Sequence, residues 1–331
     1  MMPSRALAGA VLLGLAAASI ALPAGAVGFQ YVSVPDPDDR PLEVGIWYPS
    51  DAPAAPQKEA LLPQIVAPDG ALAGEHLPLV VISHGSGGWF GSHVDTALAL
   101  AEAGYVVVAP THTGDNFRDK SDFGTLKSLQ SRPRHVQRVL DYMLEAWPAH
   151  GRLDPAGIGI FGFSAGGYTA LVAIGGEPAL GRINPDCAAD PAGSACRRRV
   201  AQPKPAKRSR PVWPHVPRFK AAVIAAPGLG YAFDAPALAG VHVPVQLWAG
   251  AEDAIVPTLT STAFLRQALP TAPDYHLVPD ARHYSFLTPC DGSANEAMDY
   301  CKDKAGFDRR AFHRALNAAM LAFFNIQLRS H

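Results

Sequence analysis

The chain reads as an α/β fold, a mostly parallel central sheet covered by helices on both faces. Three observations predict it. Short apolar runs without polar alternation, such as Leu77–Ser83, Tyr105–Ala109 and Gly157–Phe163, have the pattern of strands buried on both faces. Segments of helical period stand between them, and parallel strands need such crossovers. Composition is the third: 48% hydrophobic and 17% charged residues in a chain of 331 suit a large buried core.

The elements follow in order. Arg5 precedes an uncharged run from Ala6 to Leu22, closed by Pro23 and the small residues Ala24-Gly25-Ala26. That layout predicts a secretory signal peptide over 1–26, cut after Ala26, with an uncleaved anchor as the alternative. No later stretch approaches about 20 apolar residues, so no stable membrane insertion is expected after cleavage. The mature chain, 27–331, is read as one domain, secreted or periplasmic. A net charge of −1 gives the molecule no electrostatic preference for nucleic acid or an anionic surface.

Phe29–Val34 and Leu42–Tyr48 alternate across a Pro/Asp-rich turn and predict a strand pair. Residues 50–77 read as a long irregular connection. Beyond Leu77–Ser83 the pattern predicts helices over 92–103, 128–146, 165–174 and 258–268. Further strands are expected at Ala221–Ala225, Val243–Ala249 and Tyr275–Val278. A last amphipathic helix is expected from Asp308 to Gln327, with Phe312, Leu316, Ala319 and Phe323 on one stripe. Residues 176–219 break the rhythm with many prolines, a basic cluster and no period, which predicts a loop-rich insertion or lid. The basic cluster reads as a solvated surface, with attraction of anionic substrates or cell-envelope polymers as the alternative.

Four cysteines fall as two close pairs in polar segments. Export predicts disulfides, and the local pairing of Cys187 with Cys196 and Cys290 with Cys301 needs the least loop closure. Zinc is disfavoured, because the pairs lack the short spacing of metal knuckles.

The chemistry concentrates at Gly162-Phe163-Ser164-Ala165-Gly166-Gly167. This G-x-S-x-G lies between an apolar strand and a helix, the setting of a nucleophile elbow. A serine hydroxyl needs an adjacent base. His283, in the loop after the last core strand, is the candidate; His276 within that strand and His313 on the last helix read as packing or surface residues. The orienting acid is expected after a late strand and before the histidine. Asp253 meets both conditions, with Glu252 and Asp234 as competitors. His84-Gly85-Ser86-Gly87-Gly88 follows a central strand, so the backbone N–H groups of Ser86 and Ala165 are the candidate oxyanion donors. A phosphate-cradling loop is the rival reading, but the Walker lysine and the dinucleotide glycine spacing are both missing. Trp89 and Phe90 come next and are candidates for a pocket wall, or for the core.

With these residues in view the chain resembles the α/β hydrolases. The closer likeness is to the predicted dienelactone-hydrolase group related to platelet-activating-factor acetylhydrolases. Val44-Gly45-Ile46-Trp47-Tyr48-Pro49 and Tyr105 to His112 are similar to theirs as well. The resemblance implies the α/β-hydrolase fold and a cofactor-free, metal-independent hydrolase acting on small-molecule or polymer esters through Ser164, Asp253 and His283. It departs in one respect: dienelactone hydrolases use a cysteine nucleophile, and this position is serine. Short to medium acyl esters are expected. Lipid acetylhydrolase, amidase and peptidase activities share these residues and stay open, as does a non-catalytic binding protein. A haloalkane or epoxide hydrolase would need an aspartate where Ser164 stands.

Overall fold

A ten-stranded sheet organises the molecule, in the order β10-β9-β8-β7-β5-β6-β2-β1-β4-β3. The computed structural model describes residues 26–56, 64–179, 212–290 and 298–329. The leader and the pair Cys187/Cys196 lie outside the described residues.

The chain opens with an antiparallel pair, β1 (Ala26–Val34) and β2 (Leu42–Ser50), in the register Phe29 to Trp47. The connection that follows is more ordered than its Ala/Pro-rich sequence suggests. It holds β3 (Ala55–Pro56) and β4 (Ile65–Pro68), and β4 pairs in parallel with β1. Both are shorter than any window in which periodicity could be read.

The central strands are β5 (Leu77–Ser83), β6 (Val106–Thr111), β7 (Leu153–Phe163), β8 (Ala221–Ala225), β9 (Val245–Gly250) and β10 (Asp274–Val278). All six run parallel. Every residue of β5, β6, β8 and β9 is buried, as strands covered on both faces must be.

Among the described residues the helices are α1 (Val94–Glu102), α2 (Leu126–Glu145), α3 (Ala165–Ala173), α4 (Ala235–Leu238), α5 (Thr262–Ala268) and α6 (Arg309–Leu328). On one face α2, α3, α4 and α5 pack through residues such as Val136, Leu171, Leu238 and Leu265. On the other, α1 and α6 contribute Leu100, Leu316, Met320 and Phe324. The helix expected over 258–268 is broken. Thr258–Thr260 forms a 3-10 turn and α5 starts at Thr262, because Ser261 leaves helical geometry and donates its hydroxyl to the Pro227 carbonyl at 2.6 Å. The far end of the irregular 176–219 stretch joins the core: Trp213, Val216 and Phe219 are buried.

Because the six central strands are parallel, their C-terminal ends share one edge of the sheet. Ser83, Thr111, Phe163, Ala225, Gly250 and Val278 are those ends. In open parallel sheets, ligands bind outside that edge. Among the described residues, no helix is long and apolar enough to cross a membrane.

Candidate active site

Ser164 sits between β7 and α3 with φ 55° and ψ −117°, a positive φ that costs a non-glycine residue energy. The turn closes because its neighbours lack side chains. A Cβ on Gly162 would collide with the Gly166 carbonyl, and one on Gly166 with the Ser83 carbonyl of β5. The backbone is then fixed from the next strand: Ser164 N donates to Ala225 O at 3.0 Å, and Gly228 N donates to Ser164 O at 2.8 Å.

The Ser164 hydroxyl lies 2.9 Å from His283 Nε2, and His283 Nδ1 lies 2.7 Å from Asp253 Oδ2. All three side chains are buried. Ionised Asp253 can only accept, so Nδ1 carries the ring proton and Nε2 is left to accept from the serine. Asp253 Oδ1 is held in turn by the backbone N–H groups of Ile255 at 2.9 Å and Val256 at 2.7 Å. The competing acids are occupied elsewhere. Glu252 pairs with Lys304 at 3.0 Å on the surface, and Asp234 caps α4 by accepting from Ala237 N at 3.0 Å.

Ser86 and Ala165 both line the cavity that contains Ser164, a space of about 120 Å³. Two glycines flank this point. A Cβ on Gly85 would sit 3.3 Å from Ser164 Cβ, and one on Gly228 would sit 3.6 Å from Ala165 N. Only the Gly85 position is tight, since a Cβ there would also lie 3.1 Å from the Phe163 ring.

Trp89 and Phe90 do not line this cavity. Phe90 begins a 3-10 turn, Phe90–His93, that carries it toward the antiparallel end of the sheet. There its ring packs on Tyr31, Trp47 and Phe29, in space left by Gly45, whose missing Cβ would meet Phe90 at 2.7 Å. Trp89 packs at a tilt against Phe90 and Phe117, with ring centroids at 4.7 and 5.8 Å. The walls are built instead by Phe123, Leu129, Tyr168, Leu229, Tyr231, Ile255, Val256 and Pro257.

Sequence reading also missed what holds the 84–88 loop. Asp115, beyond β6, accepts from Gly87 N at 3.1 Å and pairs with Arg132 of α2 at 2.8 Å. Arg132 further donates from Nε to Thr169 Oγ1 at 3.1 Å and from Nη2 to the His84 carbonyl. Behind this lies a row of buried histidines. His84 Nε2 accepts from His112 N at 3.0 Å, and His112 and His135 face each other through their Nδ1 atoms at 3.2 Å. Burial, then the Arg132 charge, pushes His84 and His112 well below the usual histidine range, so both are neutral. The available signal was position: Thr111-His112-Thr113-Gly114-Asp115 is a polar run at a strand end on the same edge as Ser164.

Cys290 and Cys301 are disulfide-bonded, beyond the loop that carries His283. Among the described residues, no group of three His, Cys, Asp or Glu side chains is arranged to hold a metal ion.

A parallel sheet flanked by helices, with a serine elbow and a histidine at its C-terminal edge, is the α/β-hydrolase fold. Residues 64–183 match the Dienelactone hydrolase family, a stretch that contains Ser86 and Ser164 and ends before Asp253 and His283. Among solved structures, the chain is similar to a ferulic acid esterase from Streptomyces cinnamoneus. The TM-score is 0.63 and the identity 19%, over 95% of this chain and 93% of that one. Matching structures number 949 chains, so this likeness carries the architecture and not a substrate. No curated protein matches by sequence.

Proposed function

We propose that this protein is a serine hydrolase that cleaves neutral carboxylic esters through an acyl-enzyme. One observation carries the reading: the unbroken hydrogen-bonded chain from Ser164 Oγ through His283 to Asp253, opening on a cavity with apolar walls. In the first half-reaction Ser164 Oγ attacks the ester carbonyl carbon as its proton passes to His283 Nε2. Asp253 holds the ring by Nδ1–H and stabilises the imidazolium. The amides of Ser86 and Ala165 take the charge on the carbonyl oxygen. Collapse of the tetrahedral intermediate expels the alcohol, which leaves with the proton from Nε2. Water then repeats the sequence and releases the acid.

The match to the Dienelactone hydrolase family and the ferulic acid esterase neighbour agree with ester hydrolysis. The cavity supports a neutral substrate. Its two charged lining residues, Asp115 and Arg132, are paired with each other at 2.8 Å, and Arg132 spends further donors on Thr169 and His84. An apolar acyl or alcohol group fits the remaining wall, whereas a substrate carboxylate would have to break that pair. Export is part of the proposal: the apolar leader of residues 6–22 supports it, and the Cys290–Cys301 bond suits an oxidising compartment.

Ser164→Ala should lower kcat on short acyl esters by on the order of 10⁶. A fluorophosphonate should add its mass to the Ser164 peptide alone. Label on another residue, or an active Ser164→Ala protein, would overturn the reading.

A further inference from the structure

His313 lies outside the Ser164–His283–Asp253 chain, on α6, with its side chain almost fully buried. Its two ring nitrogens meet two different acceptors. Nδ1 is 2.6 Å from Asp95 Oδ2 of α1, and Nε2 is 2.9 Å from the backbone carbonyl of Ser285, two residues past His283. A carbonyl oxygen only accepts, so Nε2 must carry a proton. Asp95 is also an acceptor. Thr288 Oγ1 donates to its Oδ1 at 2.6 Å and Asn317 Nδ2 to its Oδ2 at 3.1 Å. Burial alone would raise this carboxyl, but hydrogen bonds and charge from His313, then Thr288 and Asn317, bring it down to about 2. The short Nδ1–Oδ2 contact therefore ties the ring to α1 while Nε2–H ties it to the loop.

We propose that His313 is a positioning residue, hydrogen-bonded between Asp95 and the Ser285 carbonyl, and that it fixes the loop that presents His283 to Ser164. The proposal rests on the reading of Ser164 and His283 given above. The clamp grips the loop at two points, Ser285 through His313 and Thr288 through Asp95. Thr288 N adds a bond to Ser92 O at 3.3 Å, beside α1. The charged and titratable groups around it are few. Asp95 faces the ring directly, and His93, in the turn before α1, is kept neutral by burial and brought down to about 4. On the other side of the loop, Asp303 accepts from Ser285 Oγ at 2.7 Å and is itself paired with Arg309 at 2.8 Å, so that arginine's charge is already met. Removing the imidazole would release both contacts of the ring and let the His283 loop shift.

The test combines a spectrum with kinetics. In ¹⁵N-histidine-labelled wild-type protein, His313 Nε2 should carry a proton hydrogen-bonded to the Ser285 carbonyl; an Nε2 without that proton overturns the proposal. Misplacing a reacting group by about 1 Å can cost about 10²-fold, and that loss in kcat is expected for His313→Gln, with KM little changed. Thr288→Val, which removes a single donor from the surface side of the clamp, should show the same split at smaller size. If folded His313→Gln retains wild-type kcat, or if KM rises while kcat holds, the positioning role is wrong. Should His313→Gln fail to fold, the wild-type spectrum and Thr288→Val decide. Ser164→Ala in the same assay separates the two readings. Its retained activity would sink the active-site assignment, whereas its inactivity beside an unimpaired His313→Gln would sink the clamp alone.

Discussion

Ser164 holds a backbone conformation that costs about 1–3 kcal/mol, and it persists because the surrounding hydrogen bonds and the absence of side chains at Gly162 and Gly166 leave no alternative. The same logic supports Asp253 as the acid of the proposed mechanism. Asp253 receives two backbone N–H groups on one oxygen and presents the other to the ring. Asp234 spends its carboxylate on the α4 cap instead. Asp253→Asn should therefore reduce kcat by roughly 10⁴, the scale for losing the orienting acid of a comparable triad. Asp234→Asn, still a good cap, should stay within about tenfold. Steady-state kinetics on both folded variants checks this, and the reverse ranking would move the role to Asp234. At this scale the sequence was informative where a residue's order and its strand defined its place, as for Ser164, Asp253 and His283. It was silent on Trp89 and Phe90, since an aromatic beside a functional loop looks alike whether it faces pocket or core. What decides is Gly45, a residue of another strand that leaves the Phe90 ring its space.

The elements bring these residues together through a shared edge. Most strands and helices were legible, because burial on two faces gives β8 an unbroken apolar run and β5 and β9 nearly continuous ones, and one-sided packing gives α6 its stripe. The buried face of α2 was not legible. It contains Ser128, Ser131, Arg132 and His135, so a search for an apolar stripe passes over the residues that support the 84–88 loop. The pocket walls escaped for a related reason. Leu229 and Tyr231 follow β8 while Ile255 and Pro257 follow β9, and only the topology makes them neighbours. The Arg132–Asp115 pair gives this scale its test. Both side chains are almost fully buried, so Arg132→Met leaves an uncompensated carboxylate and should cost about 3–5 kcal/mol. Urea melts should show that loss, and Asp115→Asn added to Arg132→Met should recover part of it. A single variant as stable as wild type would mean that the pair contributes little to the fold.

At the scale of the molecule, buried histidines set the response to acid. His84 and His112 are held well below their usual range, His135 is brought down to about 3 and His93 to about 4, in each case first by burial. For the first three, arginine charges add to that effect: Arg132 for His84 and His112, Arg134 for His135. The row can be satisfied with every ring neutral. If Ser83 Oγ donates to His112 Nε2 at 2.9 Å, His112 Nδ1–H can donate to His135 Nδ1, leaving the His135 Nε2–H for Thr113 and Asp36. In the unfolded chain each of these histidines binds a proton near pH 6.5, as the folded chain does not. Below about 6.5 the unfolded state therefore holds more protons, and stability must fall as pH falls, by about 1.4 kcal/mol per unit for each histidine until its own folded pKa is reached. The Asp95 carboxylate works in a lower window. Its stabilising effect is complete above the ordinary carboxylate range and is lost only as pH drops toward 2, so it does not mask the histidines. Thermal melts should then show a Tm that declines steadily from pH 7 to 5, with protons taken up on unfolding. His135→Gln, which removes one titrating group from the row, should flatten that slope even if it lowers Tm at pH 7. A Tm that holds constant or rises on acidification through this range would show that the histidines are not buried neutral in the folded protein.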